Sequence, residues 1–362
     1  MNRYLQRSVA IAAMLVVLVS GTARAEQAST KLALSPLIQE ALARNPEVQA
    51  MRQQLEAAAH RIPQARALPD PSIQVQLWNF PETFNVGQTQ NAIFGVSQTF
   101  PFPGKLALRG EVAQRAAEIT EQAVRTKERE VIARLKQAYY ELFLAHKAIE
   151  IHHEQVELVK QLFETANARF RTGKGSQTDV LKAQVELSTL HQHLPVLEQR
   201  LETVQAKVNT ILDRDPTFPL GVPLDPTPAT LGQELEDLYQ HAVKNRPELK
   251  AAELAIRRQE QSRALAQRQY YPDFVLGFQR FQNYQAPDGF GALATVSLPF
   301  AFWSKRKYDA AVREAVAAAD AARADYHAWE NITRFQIKDL MAKVRASERV
   351  ADLYRTTILP QA

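Results

Sequence analysis

Four histidines, His152, His153, His191 and His193, are the side chains of this sequence best suited to hold a metal, since imidazole is a common ligand for zinc and copper. Antiparallel packing of the two stretches that carry them would bring His193 near the level of His152 and His153. Consecutive or alternate positions on a helix nevertheless point in different directions, unlike an i, i+4 pair, and no cysteine or well-placed carboxylate completes a set. They read as solvated or seam residues, and no metal is assigned. Gly173-Lys174-Gly175-Ser176 has the composition of a phosphate loop without its full spacing or a preceding buried strand, and a helix-hairpin turn explains it better. No nucleophile-base pair or isolated carboxylate dyad stands out, because the acidic residues are spread as solvated helix faces. Catalysis and cofactors are therefore not expected. Asp179 follows the turn and Arg171 lies nearby; from residue type alone, Asp179 reads as a helix N-cap or first-turn acid worth about 1 kcal/mol.

The elements that position these residues are long helices. From Lys105 onward, Val131, Leu135, Ala138, Leu142, Ala145, Ile149, His152, Val156, Val159, Phe163, Ala166 and Phe170 alternate spacings of four and three, which is a heptad seam. A partner seam runs through Ala183, Leu187, Leu190, Leu194, Leu197, Leu201, Val204, Val208 and Ile211, antiparallel around the turn near Gly173 to Gln177. At about 1.5 Å per residue, the stretch from Lys105 to Phe170 spans on the order of 100 Å. Pro195 removes one backbone hydrogen bond from the return helix and predicts a local kink.

Strands are legible by period-two alternation. Ile73, Val75 and Leu77 oppose Gln74 and Gln76; Ala92, Phe94 and Val96 oppose Gly95, Ser97 and Thr99. The pattern recurs with Phe274, Leu276 and Phe278 against Gly277 and Gln279, and with Ala292, Ala294 and Val296 against Thr295 and Ser297. Each strand has roughly the nine or ten residues that a tilted strand needs to cross a bilayer. Aromatic residues stand at the ends: Trp78, Phe80, Phe100, Phe102, Tyr270, Tyr271, Phe281, Phe300 and Trp303. One such hairpin alone would more often be a soluble sheet backed by helices; four strands with aromatic ends read as a membrane barrel wall. Four strands cannot close a barrel, and in lipid every strand edge must be paired, so several chains must contribute. Three chains giving twelve strands would leave an aqueous lumen lined by the Gln, Ser and Thr face.

The chain is internally duplicated. Asn45-Pro46-Glu47-Val48 returns as Asn245-Arg246-Pro247-Glu248-Leu249, Pro71-Ser72-Ile73 as Pro272-Asp273-Phe274, and Val96-Ser97 with Phe100-Pro101-Phe102 as Val296-Ser297-Leu298-Pro299-Phe300. Lys105 is echoed by Lys305. Each half carries a helix (33–66, then 233–268), two strands (72–80 with 92–100, then 273–281 with 291–298) and a long helix, followed in the first half by a return helix over 177–212. The Pro- and Asp-rich stretch from Asp213 to Pro228 reads as a linker. The predicted organisation is a signal peptide over 1–25, a first repeat over 26–212, a linker over 213–232 and a second repeat over 233–362. The signal peptide rests on Arg3 and Arg7, the apolar run from Val9 to Val19, and Ala23-Arg24-Ala25 with cleavage after Ala25; the apolar run falls short of the roughly twenty residues of a spanning helix.

Composition agrees. The chain has 12 glycines, 23% charged residues and long stretches rich in Ala, Leu, Glu, Gln, Lys and Arg, which makes it mostly α with a small β part. The absence of cysteine excludes disulfides and a lipid-anchoring thiol. A formal net charge of +5 with basic and acidic residues interspersed gives no nucleic-acid surface.

With these parts together, the chain resembles the TolC-type outer-membrane factors of tripartite efflux systems. The stretches that carry the resemblance are Ser97-Gln98-Thr99-Phe100-Pro101-Phe102-Pro103-Gly104-Lys105, similar to the family's strand-to-helix junction; Phe170-Arg171-Thr172-Gly173 through Thr178-Asp179-Val180-Leu181, similar to its helix-tip turn; and the duplicated Asn-Pro-Glu region. The resemblance implies a homotrimer in the outer membrane, whose twelve-stranded barrel continues into a periplasmic helical tunnel. It implies docking to a periplasmic adaptor (membrane fusion) protein and an inner-membrane pump of the resistance-nodulation-division type. The function implied is passive conduction of drugs, metal ions or other small molecules, with no catalytic, cofactor or metal residues. Arg171, Gly173 and Asp179 would form the periplasmic tip, with Asp179 in the contacts that hold the entrance closed. The family continues to a second tip turn and a final return helix where this sequence ends at Leu359-Pro360-Gln361-Ala362, so the expectation is either a fragment or a defective natural product. A periplasmic adaptor or soluble coiled-coil scaffold is the competing reading, and a membrane-associated enzyme the third.

Overall fold

The computed structural model describes residues 31–78, 91–227, 232, 234–283, 287–299 and 301–361. The predicted signal peptide, Phe80, Phe300 and Pro228 lie outside the described residues. The chain divides into two compact units, each drawn from two separated stretches: Met1–Gln49 with Lys127–Thr230, and Ala50–Thr126 with Leu231–Ala362.

α1 (Leu34–Arg44) lies in the first unit and is followed by α2 (Pro46–Arg66), which passes into the second unit after Gln49; the sequence predicts one helix over 33–66. The break has a local cause: the residue before a proline is disfavoured in the helical region, and Asn45 sits at φ −55°, ψ 123°. Asn45 also caps the new helix, its Oδ1 accepting from the amides of Glu47 (3.0 Å) and Val48 (3.3 Å). Its Nδ2 donates to the Ile211 carbonyl at 2.9 Å, at the end of α4 (Gln177–Ile211). The core joins Leu37, Ala41 and Val48 to Val131, Leu135, Ala138 and Leu142 of α3 (Lys105–Arg171) and to Val204, Val208 and Ile211 of α4. The α3 and α4 members are predicted seam residues, and burial fades along the seam toward Phe170, which is exposed. α4 runs through Pro195 without a break. Beyond it, the Tyr139 hydroxyl donates to the Leu32 carbonyl at 2.7 Å and accepts the Leu224 amide at 3.0 Å, which fixes the Pro-rich stretch against α3.

The second unit holds the sheet. β1 (Ser72–Trp78), β2 (Asn91–Phe100), β3 (Phe274–Asn283) and β4 (Gly289–Val296) form one antiparallel sheet in the order β1-β2-β3-β4. Besides the rest of α2 and the start of α3, its helices are α5 (Leu235–Asn245), α6 (Pro247–Arg268) and α7 (Lys305–Leu353), followed by a π-helical turn over Tyr354–Ile358 and a last turn, Leu359–Gln361. The single helix predicted over 233–268 is again two, because Arg246 precedes Pro247 and takes φ −74°, ψ 120°. The Arg246 guanidinium donates to Thr333 Oγ1 at 3.0 Å and lies over the Trp329 ring, tying this break to α7. Small residues let α6 and α7 approach: Ala252 on one and Ala315, Ala319 and Ala322 on the other are buried.

Candidate functional site

The register builds one continuous apolar face across all four strands. Ile73 pairs with Val96, Val96 with Phe278 and Phe278 with Ala292; one step along, Val75 pairs with Phe94, Phe94 with Arg280 and Arg280 with Phe290. Paired residues share a face, so the alternations read separately in each strand add up to one surface. That surface is open: Ile73 is 84% and Phe290 70% exposed. The opposite face is mixed: it carries Gln74, Gln76, Ser97, Thr99, Gln279 and Thr295, with Ile93, Val275, Phe281 and Leu293 among them. Arg280, the cation within the apolar face, pairs with Asp288 at 2.8 Å beside the β3–β4 connection.

A polar knot that sequence reading did not foresee fastens the sheet to α3. The Lys105 side chain is only 2% exposed, and its ammonium donates to Asp273 Oδ1 and to the Tyr271 carbonyl, both at 2.8 Å. The Phe102 amide donates to the same carboxylate oxygen at 2.8 Å, and the Phe102 and Tyr271 rings stack with centroids 4.5 Å apart. Gly104, at φ +91°, makes the turn from strand to helix in a conformation that a side chain would strain. Burial pushes the Asp273 carboxyl up, but hydrogen bonds from Lys105 and the Phe102 amide, with the charges of Lys105 and Arg109, outweigh it and hold the group below its ordinary range. The signal was present in the sequence as the Lys105/Lys305 echo and the Pro272-Asp273 repeat, without the pairing that joins them.

At the far end of α3 the predicted tip residues lie on one turn. Gly173 takes φ +70°, its amide donates to the Phe170 carbonyl (3.0 Å) and the Lys174 amide to the Arg169 carbonyl (2.9 Å), which closes the helix in a Schellman motif. Ser176 caps α4, its hydroxyl accepting the Thr178 amide at 3.1 Å. The N-cap role offered for Asp179 therefore falls to Ser176, which stands first in the turn with a suitable hydroxyl; Asp179 is an exposed acid in the first turn, where the helix dipole favours it. Arg171 is exposed at the end of α3, and among the described residues no ion pair joins it to Asp179.

The histidines do not converge on a metal. Among the described residues no group of three or more His, Cys, Asp or Glu is placed to hold an ion. His152 is buried in the seam, while His153, His191 and His193 are exposed. His146, outside the predicted set, faces a cavity of 120 Å³ with Lys147, Glu150 and Asp225, and burial lowers its pKa. No helix among the described residues is long and apolar enough to cross a membrane.

With this geometry in place, the family model for outer membrane efflux proteins matches residues 37–213, a stretch that includes β1, β2 and the whole α3–α4 hairpin. Residues 37–213 belong to the outer membrane efflux protein family. The fold extends the likeness beyond them. The outer-membrane channel OprN superposes with a TM-score of 0.71 at 19% identity, over 91% of this chain and 78% of that one. The outer membrane protein VceC of Vibrio cholerae gives 0.70 at 17% identity, over 89% and 81%. The open-state MtrE outer membrane channel of Neisseria gonorrhoeae gives 0.67 at 16%, over 89% and 74%. At these identities the structural likeness is one of fold. No curated protein matches this chain in sequence. The resemblance to outer-membrane factors and the mostly helical fold with four antiparallel strands are thus borne out. The efflux-protein family and these structural neighbours are outer-membrane channels, not enzymes.

Proposed function

We propose that this chain is a passive channel subunit of a tripartite efflux system, acting as a homotrimer in the outer membrane. The observation that carries the reading is the sheet: one face is largely apolar and open, with Arg280 in it, the other carries Gln, Ser and Thr side chains beside Ile93, Val275, Phe281 and Leu293, and among the described residues β1 and β4 leave both edges unpaired. Unpaired edges are untenable in lipid, and closure by three copies satisfies them in a twelve-stranded barrel with the mixed face on the lumen. The α3–α4 hairpin supplies the periplasmic tunnel wall. Support comes from a second apolar stripe off the seam, where Leu144, Ile151 and Leu158 recur every seven residues and are each more than half exposed, as surfaces for a neighbouring helix.

In this reading the segments 26–212 and 233–362 are two repeats of one unit separated by the linker at 213–232. The hairpin tip meets a periplasmic adaptor and an inner-membrane pump of the resistance-nodulation-division type, and the lumen passes drugs, metal ions or other small molecules. Asp179 and Arg171 stand at the entrance, and Asp179 holds it closed through contacts with neighbouring copies. Fractionation tests the reading directly. The protein is expected to stay with the outer membrane through a high-salt wash, and release into the soluble fraction would favour a periplasmic scaffold and overturn it.

A further inference from the structure

The corner that leads from β4 into α7 corresponds to the corner from β2 into α3, but the two differ in what they leave exposed. Lys305 stands nine residues beyond Val296, as Lys105 stands nine beyond Val96, which sets Phe302 in the place of Phe102. In the first repeat that aromatic ring stacks on Tyr271 and the lysine is buried on Asp273. In the second, Phe302 and Trp303 are 85% and 74% exposed, with their rings in edge contact at 4.7 Å, and Leu298 is exposed as well. Lys305, Arg306 and Lys307 follow, all three exposed, where the first repeat has the neutral Leu106 and Ala107 after its lysine.

The corner is held in place by hydrogen bonds. The Ser304 hydroxyl lies 2.8 Å from both the Pro299 and the Ala301 carbonyls, the Ser304 amide donates to the Ala301 carbonyl at 2.8 Å, and the Ala301 amide donates to the Leu298 carbonyl at 3.3 Å. Fixing two large apolar side chains in water gains nothing unless something covers them. The cations likewise lack a local counter-charge. No acid lies in the first turn of α7, and Asp309, the next along the helix, accepts the Tyr270 hydroxyl. Among the described residues none of the three cations forms an ion pair, and Lys307 lies 5.5 Å from the centre of the Tyr308 ring. The corner also continues the apolar face of the sheet. Val296 at the end of β4 pairs with Phe274, and Phe274 with Phe100, and all three are exposed. An apolar wall, then paired aromatics, then cations is the order in which a protein surface meets acyl chains, the membrane interface and phosphates.

We propose that this corner is a seat for an anionic phospholipid in the leaflet nearer the helices. Phe302 and Trp303 lie against the upper acyl chains, and Lys305, Arg306 and Lys307 take the charge of the headgroup. A zwitterionic lipid also carries a phosphate, so what three unpaired cations add is preference for a lipid of net negative charge. The seat rests on the barrel reading given above, which puts the apolar face of the sheet in the bilayer.

The test uses the full chain extracted from membranes in mild detergent, to which phosphatidylglycerol or phosphatidylcholine of the same acyl chains is added. Native mass spectrometry counts the copies of the chain and the lipids retained. The expected result is severalfold more phosphatidylglycerol than phosphatidylcholine per oligomer. Lys305→Gln/Arg306→Gln/Lys307→Gln should abolish that preference, whereas Lys338→Gln/Arg345→Gln/Arg349→Gln, which removes the same charge from exposed positions farther along α7, should leave it. Phe302→Ser/Trp303→Ser should lower retention of both lipids. If a variant does not assemble, a photoactivatable phosphatidylglycerol on the wild-type oligomer decides, and it should label the peptide that holds Phe302 and Trp303. An intact oligomer that retains the two lipids equally, responds alike to the two triple variants or is labelled only elsewhere overturns the seat and leaves the barrel standing. Monomers only would overturn the barrel reading and the seat with it. Phosphatidylglycerol preference unchanged by the first triple variant, with loss of binding to a polyglutamate peptide, would assign the corner to an acidic protein partner and overturn the lipid seat.

Discussion

Removing Asp273 should damage the protein far more than removing its partner Lys105, because burial is unequal across the pair. The Lys105 side chain is 2% exposed and that of Asp273 32%. Asp273→Ala strands an ammonium that keeps only the Tyr271 carbonyl, and it also takes the acceptor from the Phe102 amide. Breaking a buried pair in this way costs about 3–5 kcal/mol. Lys105→Met leaves an apolar side chain of similar length in the slot and a carboxylate that water and the Phe102 amide still solvate, which limits the loss to about 1–2 kcal/mol. The double variant Lys105→Met/Asp273→Ala should recover part of the loss of Asp273→Ala, since no charge is left stranded. The assay is guanidinium unfolding of the purified protein in detergent at neutral pH, followed by circular dichroism. The acid limb gives a second check. The folded pKa of Asp273 lies below its unfolded value, so the contribution of the pair is complete above the unfolded value, about 3.9, and is lost as pH falls through the folded one. The gap between wild type and the double variant should therefore narrow below about pH 4. Equal losses from the two single variants, or a gap that widens in acid, would refute the assignment of Lys105 as the buried member.

Val75→Arg should hinder membrane assembly by about 2–4 kcal/mol if the residue lies at mid-bilayer, while Gln76→Arg is tolerated; yields of outer-membrane protein for the two variants provide the comparison. Ser176→Ala should lower thermal stability by about 1 kcal/mol without changing single-channel conductance, because it removes the cap of α4. Asp179→Ala should raise that conductance with little change in stability, and the opposite assignment of the two phenotypes would take Asp179 out of the gate.

The helical hairpin and the strand faces were legible because they are periodic. A seam such as Val131, Leu135, Ala138 and Leu142 needs only local spacing to be read, and the structure buries those four completely. Breaks and caps were harder. Asn45-Pro46 stands out as a repeated motif within an otherwise helical pattern, and its effect as a helix boundary comes from the restriction that a proline places on the residue before it. At the tip, Ser176 and Asp179 are both good caps by type, and only the backbone of the turn decides between them. The Lys105–Asp273 knot was the least accessible, because its two members are far apart in sequence and meet through the β2–β3 register. Four separate alternations do not specify which strand lies beside which. His152 illustrates a weaker signal: its seam position foretold burial, and its Nε2 is buried without a hydrogen-bond partner.

The central claim, that the sheet is a wall between lipid and an aqueous lumen, is tested most directly by two single cysteines in this cysteine-free chain, Val75→Cys and Gln76→Cys. The two residues are adjacent on β1 and point to opposite faces. In intact outer membranes, a charged, water-soluble maleimide should label the cysteine at position 76 and leave that at 75 unmodified, whereas a lipid-soluble maleimide should label position 75. Equal labelling of both positions by the charged reagent would contradict a lipid-facing apolar surface and with it the barrel.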